Sequence, residues 1–308
     1  MYDTIKIQLP YAEAETESLN ATLNTFDNVT DKRYRNTGIV TTQATFNNWK
    51  FSQSPKSLTA YGSLPQLLYK TNQLNFTREE TIKALSKLQD IIGLDISAAR
   101  VTRIDFGCNI VVDHPVDTYF KLLCNRDLTK RWTVSDETLY FKGRVKELCF
   151  YNKSVQLRDT YQPLHEQYFY KNLLRYEMKL TKEICKITDY PEINCATLTD
   201  KRFYNKLVKL WHDEYQLIDK LSFVVPADYG KNWTEFRNYL TLEGIEKNGG
   251  SETFDLVNDK KAFKLDHRAK HNIKKMLKKL ISSKVKYHAN DALDELNEKM
   301  FNILQNAA

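Results

Sequence analysis

The chain has 308 residues, 42% of them hydrophobic and 12% aromatic, with a formal net charge of +7. That length allows one large domain or two ordinary ones, and that composition excludes a disordered or low-complexity chain. The basic surplus favours a polyanionic partner such as nucleic acid, although where the charge sits matters more than its sum. Five cysteines, without any CxxC spacing, read as buried thiols of a reducing compartment. MYDTIKIQLP shows no basic stretch followed by an apolar one, so no signal peptide is expected, and no segment approaches the roughly 18 apolar residues of a membrane span. A cytoplasmic protein is expected.

In chain order, Ile5, Ile7 and Leu9 alternate and predict a first strand ending at Pro10. Residues 11–36 are polar and show no clear period. Gly38 to Phe51 and Ser57 to Gly62 predict two more strands, joined by the turn-like SQSPKS. TREE, from Thr77 to Glu80, is a capping box; Ile82, Leu85, Leu88, Ile91 and Ile92 form the apolar stripe of the helix that follows, and Gly93 stops it. VTRIDFGCNIVV is a long alternating strand, and Pro115 opens a short helix. Residues 131–157 read as two strands around Gly143, and LLRYEMKL, from Leu173 to Leu180, as another. Beyond about residue 190 helical spacing takes over, at 198–222, Trp233–Ile245 and Asp266–Tyr287, with KNGGSE as a loop. No internal repeat stands out. The expectation is an α+β fold: an antiparallel sheet with helices on one face over residues 1–190, then a mainly helical, basic region over 191–308.

Side chains alternate across a strand, so each strand can be sorted by face. One face of VTRIDFGCNIVV carries Arg103, Asp105, Gly107 and Asn109; one face of LLRYEMKL carries Arg175, Glu177 and Lys179; LCFYNKSVQL sets Tyr151 and Lys153 opposite Leu148 and Phe150. A solvated sheet face would look the same. The residue types suggest more. If the strands are neighbours, Asp105 and Glu177 converge as an oxygen-rich site for Mg²⁺ or Mn²⁺. A phenol, poorly nucleophilic at neutral pH, gains from a cation beside it, and Lys153 would supply one. Arg103 and Arg175 could clamp flanking phosphates. Together these predict a phosphoryl-transfer site.

MYDTIKIQLPY, TRIDFGCNI, LCFYNKSVQL and LLRYEMKLTK, in this order and spacing, resemble the filamentous-phage gene II replication initiators and related plasmid initiators, over residues 1 to about 190. The resemblance implies a Rep-nuclease-like fold and a rolling-circle mechanism. One DNA strand is nicked at an origin, a tyrosine is joined to the 5′-phosphate, the freed 3′-hydroxyl primes synthesis, and the displaced strand is later rejoined. It makes Tyr151 the nucleophile, Lys153 its cationic partner, and Asp105 and Glu177 the metal ligands. Single- and double-stranded DNA would be the partners, together with a host helicase, in the cytoplasm of a bacterial cell. The sequence departs from the histidine-pair metal site of many rolling-circle nucleases, since its six histidines are scattered. His165 is a candidate third ligand. Related plasmid initiators place the tyrosine after the glutamate, which keeps Tyr190, Tyr204 and Tyr215 open as alternatives.

The predicted helix DHRAKHNIKKMLKKLISSKVKY turns Ile273, Met276, Leu277, Leu280 and Ile281 inward and Lys274, Lys275, Lys278 and Lys279 outward, with Arg268, Lys270, Lys284 and Lys286 nearby. Beside a DNA-cutting site those lysines read as phosphate contacts. Two other readings are a mobilisation relaxase with the same chemistry and a copy-control protein that binds DNA without cutting it.

Overall fold

In a computed structural model the chain is described over residues 1–33, 38–221, 233–248, 250–259, 264–281 and 291–307. The first part runs β1 (Tyr2–Pro10), α1 (Thr16–Asn24), β2 (Asp27–Arg33), β3 (Val40–Phe46), β4 (Trp49–Ser54), β5 (Ser57–Ser63), α2 (Leu64–Tyr69) and α3 (Arg78–Ile92). It continues through β6 (Arg100–Val112), α4 (Val116–Leu122), β7 (Leu123–Arg126), β8 (Lys130–Val134), β9 (Thr138–Lys142), β10 (Lys146–Asn152), α5 (Lys153–Asp159) and β11 (Asn172–Leu180). The last part is α6 (Ile184–Thr188), α7 (Cys195–Thr199), α8 (Lys201–Gln216), β12 (Ile218–Lys220), α9 (Trp233–Asn248), α10 (Gly250–Asn258), α11 (His267–Ile281) and α12 (Asp291–Ala307).

Ten strands form one sheet in the order β2-β3-β4-β5-β1-β6-β11-β10-β9-β8, each pair antiparallel. The α+β class is as expected, and the order reveals a repeat that the sequence hides. β1 and β6 are central neighbours. Each is followed by an excursion to an outer edge and a return, strand by strand, to pair with its own starting strand: β2 to β5 beside β1, β8 to β11 beside β6.

Alternation gives the sheet one apolar face, and helices cover it. Phe150 of β10 stacks on Tyr176 of β11 at 4.2 Å, and Tyr176 stacks in turn on Trp211 of α8 at 4.7 Å. Aromatic pairs of this kind are worth about 0.5–1.5 kcal/mol each beyond area burial. The Tyr176 hydroxyl also donates to the Trp211 carbonyl at 3.1 Å. Helices from both sides of residue 190 thus share one core. The Thr77 box and the Gly93 left-handed stop of α3 are as read from sequence, with φ of 75° at Gly93.

Several boundaries differ. Gly38–Phe51 is not one strand: Asn47, with φ of 52°, turns the chain between β3 and β4. Residues 131–157 hold three strands rather than two, because Ser135 and Asp136 form a left-handed turn that closes β8 onto β9. Pro115 precedes α4 as its cap rather than opening it. Gly250–Glu252 of KNGGSE already belong to α10, where glycines look like a loop from sequence alone. Ile82 and Met276, placed on inward stripes, are 41% and 47% exposed because each helix buries a narrower face than its apolar residues allow. Lys284 and Lys286 lie outside the described residues.

Candidate active site

The polar face of the second half can be read as cross-strand rows. One row is Trp132, Tyr140, Cys149, Glu177 and Gly107, on β8, β9, β10, β11 and β6. The next is Val134, Thr138, Tyr151, Arg175 and Asn109. On the other side lie Lys130, Lys142, Glu147, Lys179 and Asp105. The pairing of β6 with β11 is therefore what brings the RID and RYE motifs together. Gly107 makes that pairing possible: a Cβ there would lie 2.2 Å from the Tyr176 carbonyl oxygen and 3.0 Å from Glu177 Cγ. The bare backbone leaves room for the glutamate to lie across the neighbouring strand.

Arg175, 3% exposed, organises the centre. Its Nε donates to Glu177 Oε1 at 2.5 Å and its Nη2 to Asp3 Oδ2 at 2.7 Å, while Nη1 donates to Asn109 Oδ1 at 3.0 Å and the Asn72 carbonyl at 3.1 Å. The Tyr151 hydroxyl donates to the same Glu177 Oε1 at 2.9 Å. Asp3 escaped the sequence reading. It reaches the site because a register shift in β1 between Tyr2 and Ile5 displaces the alternation.

Lys153 does not continue the strand of Tyr151. β10 ends at Asn152, which caps α5 by accepting from the Val155 amide, and Lys153 is the first helical residue. The turn into the helix folds Lys153 back over the sheet, where it is 1% exposed. Its Nζ donates to Asn72 Oδ1 and Gln156 Oε1, both at 2.8 Å, and lies 5.9 Å from the centre of the Tyr151 ring. Tyr151, Lys153, Glu177 and Lys179, with Asn72 and Tyr140, line a half-open cleft of about 260 Å³. Asn72, Gln156 and Tyr140 carried no sequence signal, being ordinary polar residues whose role is set by what folds against them.

Burial and charge tune these groups in different directions. Burial would raise Glu177, but Arg175, Lys179 and the hydrogen bonds from Arg175 and Tyr151 hold it down at about 2. Desolvation, aided by the Glu177 charge, pushes Tyr151 well above the ordinary range for a phenol, so it rests protonated. Desolvation and the neighbouring Arg175 lower Lys153 to about 8. Burial also opposes the charge on Lys179, but Cys149, Glu177, Glu147 and Asp105 outweigh it and raise the ammonium pKa. Asp105, 4% exposed, is raised to about 6 by desolvation, only partly offset by Arg103.

The two carboxylates do meet as diagonal neighbours, and each is already matched. Arg103 holds Asp105 with two bonds, Nε to Oδ1 and Nη2 to Oδ2, both 2.8 Å. Arg175 and Tyr151 hold Glu177, and Lys179 lies directly opposite Asp105. Among the described residues no group of three His, Cys, Asp or Glu side chains is placed to hold an ion. Each carboxylate is paired with a guanidinium, Asp105 through both oxygens and Glu177 through Oε1, so a divalent cation would have to share or displace these arginines. His165 caps a short 3-10 turn at Glu166–Tyr168, its Nδ1 accepting from the Gln167 amide.

The alternative tyrosines fall elsewhere. Tyr204 packs on Tyr2 and Phe106 in the core, and Tyr215 is buried with its hydroxyl on Asn297. Tyr190 packs on Phe203 with Lys206 over its ring. α11 packs against α9 and α10 in the helical layer, across the sheet from the cleft. Lys278 is engaged there by Asp127 at 2.6 Å and Asp219 at 3.2 Å, and Lys274 is half-buried near Asp255. Lys275 and Lys279 are exposed on the same helix. The basic helix is therefore not beside the cleft, contrary to the sequence expectation, because α11 is carried by the layer under the apolar face.

An antiparallel sheet with acid, phenol and ammonium groups gathered in one cleft defines an α+β protein with a polar site on its sheet. Residues 66–197 match the family model for the N-terminal part of the replication-associated gene II protein, the filamentous-phage gene II family. The match runs from α2 to α7, includes every residue lining the cleft, and leaves out the first strands that the motif resemblance had included. The matched model describes replication-associated proteins and covers less than half of the chain. Among curated proteins, no relative matches the chain. No described helix is long and apolar enough to cross a membrane.

Proposed function

We propose that this chain nicks and rejoins one strand of DNA at a replication origin, with Tyr151 as nucleophile. The observation that carries the reading is the Tyr151 hydroxyl on Glu177 Oε1, 2.9 Å away, in a cleft that also holds Lys153 and Lys179. The phenol oxygen attacks phosphorus and the bond from phosphorus to the 3′ oxygen breaks. The 5′-phosphate is left on Tyr151 and a 3′-hydroxyl is released. Glu177 orients the phenol, whose proton leaves through it to solvent as the oxygen–phosphorus bond forms, since a carboxyl held at about 2 does not keep a proton; the Lys153 ammonium, with its pKa near 8, supplies one to the departing oxygen. Lys179 offsets charge on the non-bridging oxygens. The reverse sequence rejoins the strand, because the ester keeps the bond energy that hydrolysis would release.

Arg175 positions Glu177, and Arg103 positions Asp105. A divalent cation would have to share or displace these arginines, so activity measured with Mg²⁺, with Mn²⁺ and with chelator reads out whether either gives way. The setting is the cytoplasm of a bacterial host, with a helicase as the expected partner in unwinding. Phosphate contacts by Lys274, Lys275, Lys278 and Lys279 would engage duplex wrapped around the helical side, apart from the cut strand.

The test uses single-stranded oligonucleotides tiling the DNA around the coding region, resolved on denaturing gels with adducts mapped by mass spectrometry. A covalent adduct at Tyr151, absent in Tyr151→Phe while DNA binding persists, is the expected result. Cutting without an adduct would make water the nucleophile. An adduct at Tyr140 would move the chemistry one strand outward. Binding with no cutting on any tile would favour a copy-control protein.

A further inference from the structure

We propose that Trp132 and Tyr140 form a stacking ledge for an unpaired base of single-stranded DNA, set on the sheet next to the cleft; this rests on the strand-nicking reading above. The two rings lie face to face across β8 and β9, 4.8 Å apart and inclined by 16°. Both are half-buried on the polar face, away from the core that Leu139 and Phe141 fill on the other side. Aromatic side chains on an open sheet face are usually replaced by polar ones, since the alternation that buries one face leaves the other to water.

The ledge is framed by cations. Lys142 Nζ lies 5.9 Å from the Trp132 ring centre and Lys179 Nζ lies 5.7 Å from that of Tyr140. Lys130 is paired directly across from Lys142 on the same edge. Rings with flanking ammonium groups suit a nucleotide, whose base stacks while its phosphate meets the lysines. The ledge is also continuous with the site. Tyr140 lines the cleft with Tyr151 and Glu177, and the row from Trp132 through Tyr140 and Cys149 to Glu177 crosses three strand spacings, roughly 14 Å. β8 is the last strand of the sheet, so among the described residues no further strand lies outside Trp132. A single strand leaving the cleft in that direction meets the two rings first. Stacking there holds a nucleotide near the reacting phosphate without being adjacent to it, and it is tolerant of sequence because every base has a π-face.

The role to be distinguished is stabilisation of the β8–β9 hairpin, which a cross-strand aromatic pair also provides. Binding of fluorescein-labelled oligothymidylate would be measured by anisotropy for the wild type, Trp132→Phe and Trp132→Leu, with thermal melting alongside. The ledge requires Trp132→Leu to weaken binding roughly tenfold and Trp132→Phe to stay within about threefold of wild type. Lys142→Gln should shallow the dependence of log K on log salt by about one charge. A chain of abasic sugars of equal length, tested on the unmodified protein, should bind roughly tenfold more weakly than oligothymidylate; this arm does not depend on any variant folding. Equal affinity for both chains, or unchanged binding by Trp132→Leu, overturns the ledge and leaves the nicking reading intact if Tyr151 adducts still form. Failure of the wild type to bind any single strand sinks both.

Discussion

The two halves of the sheet share one strand order and differ in what they carry. Their inner strands face each other at Ile5 and Ile104. Three residues on from each isoleucine, a row runs outward across the polar face. In the first half it reads Gln8, Thr59, Ser52, Gln43 and Thr30. In the second it reads Gly107, Glu177, Cys149, Tyr140 and Trp132. The first row is uncharged amides and hydroxyls. The second is a bare backbone, a buried acid, a thiol and two stacked rings. Topology therefore provides two equivalent places, and chemistry fills one. The difference lies in a glycine that admits Glu177 and in a cover, the Asn72 segment and α5, that removes water from one row only. Leu157 of α5 and Leu173 of β11 are buried apart from the main core.

The comparison breaks most sharply at the phenol. Tyr151→Phe should lower nicking by at least about 10³-fold without weakening DNA binding, read from denaturing gels and anisotropy. The first half offers nothing to compensate. Next in size is Arg175→Met, which leaves Asp3 and Glu177 buried without their ion-pair partner and should cost about 3–5 kcal/mol in urea unfolding. The corresponding position in the first half is Ser57, paired with Pro10, and Ser57→Ala should cost under about 1 kcal/mol. Gly107→Ala sets a Cβ 2.2 Å from the Tyr176 carbonyl and forces β6 from β11; we expect a loss of about 3 kcal/mol, whereas Gln8→Ala, at the matching place, should change stability by under about 0.5 kcal/mol.

A smaller effect sharpens the role of the cover. Lys153 is protonated below about 8 in the folded protein, so an ammonium that donates to the leaving oxygen is lost as pH rises through that value. Nicking should fall above about pH 8, and Lys153→Met should remove this alkaline limb while lowering the plateau by about 10²-fold. A profile with the same limb in the variant would assign it to another group. Smallest of all, Thr59→Val, opposite Gln8, should leave nicking within about twofold of wild type.

Much of the second half was legible in the sequence because its signals are local. Arg103 with Asp105, and Arg175 with Glu177, sit two residues apart on alternating strands, so a shared face follows from the period of a strand. Their guanidinium–carboxylate pairing was not foreseen, since the same spacing suits arginines that reach for phosphate. The Thr77 box and Gly93 stop are likewise written in neighbouring residues. The strand of Tyr151 was read through to Leu157, because Asn152, where it ends, serves equally as a strand residue and as a helix cap. Trp132 and Tyr140 were hidden by merging two strands across Ser135 and Asp136.

By itself the sequence determined the periodicities, and with them which side chains of each strand share a face and which helices have caps and stops. Tertiary structure alone decided which strands are neighbours. That choice set Glu177 over Gly107, brought Asp3 to Arg175 through a bulge, laid the Asn72 carbonyl and amide over the site, and placed the lysines of α11 behind the sheet. The physical reason is distance along the chain. Alternation and capping act through hydrogen bonds a few residues apart, whereas the cleft is closed by residues 72, 140, 151 and 177, whose meeting depends on how ten strands exclude water together.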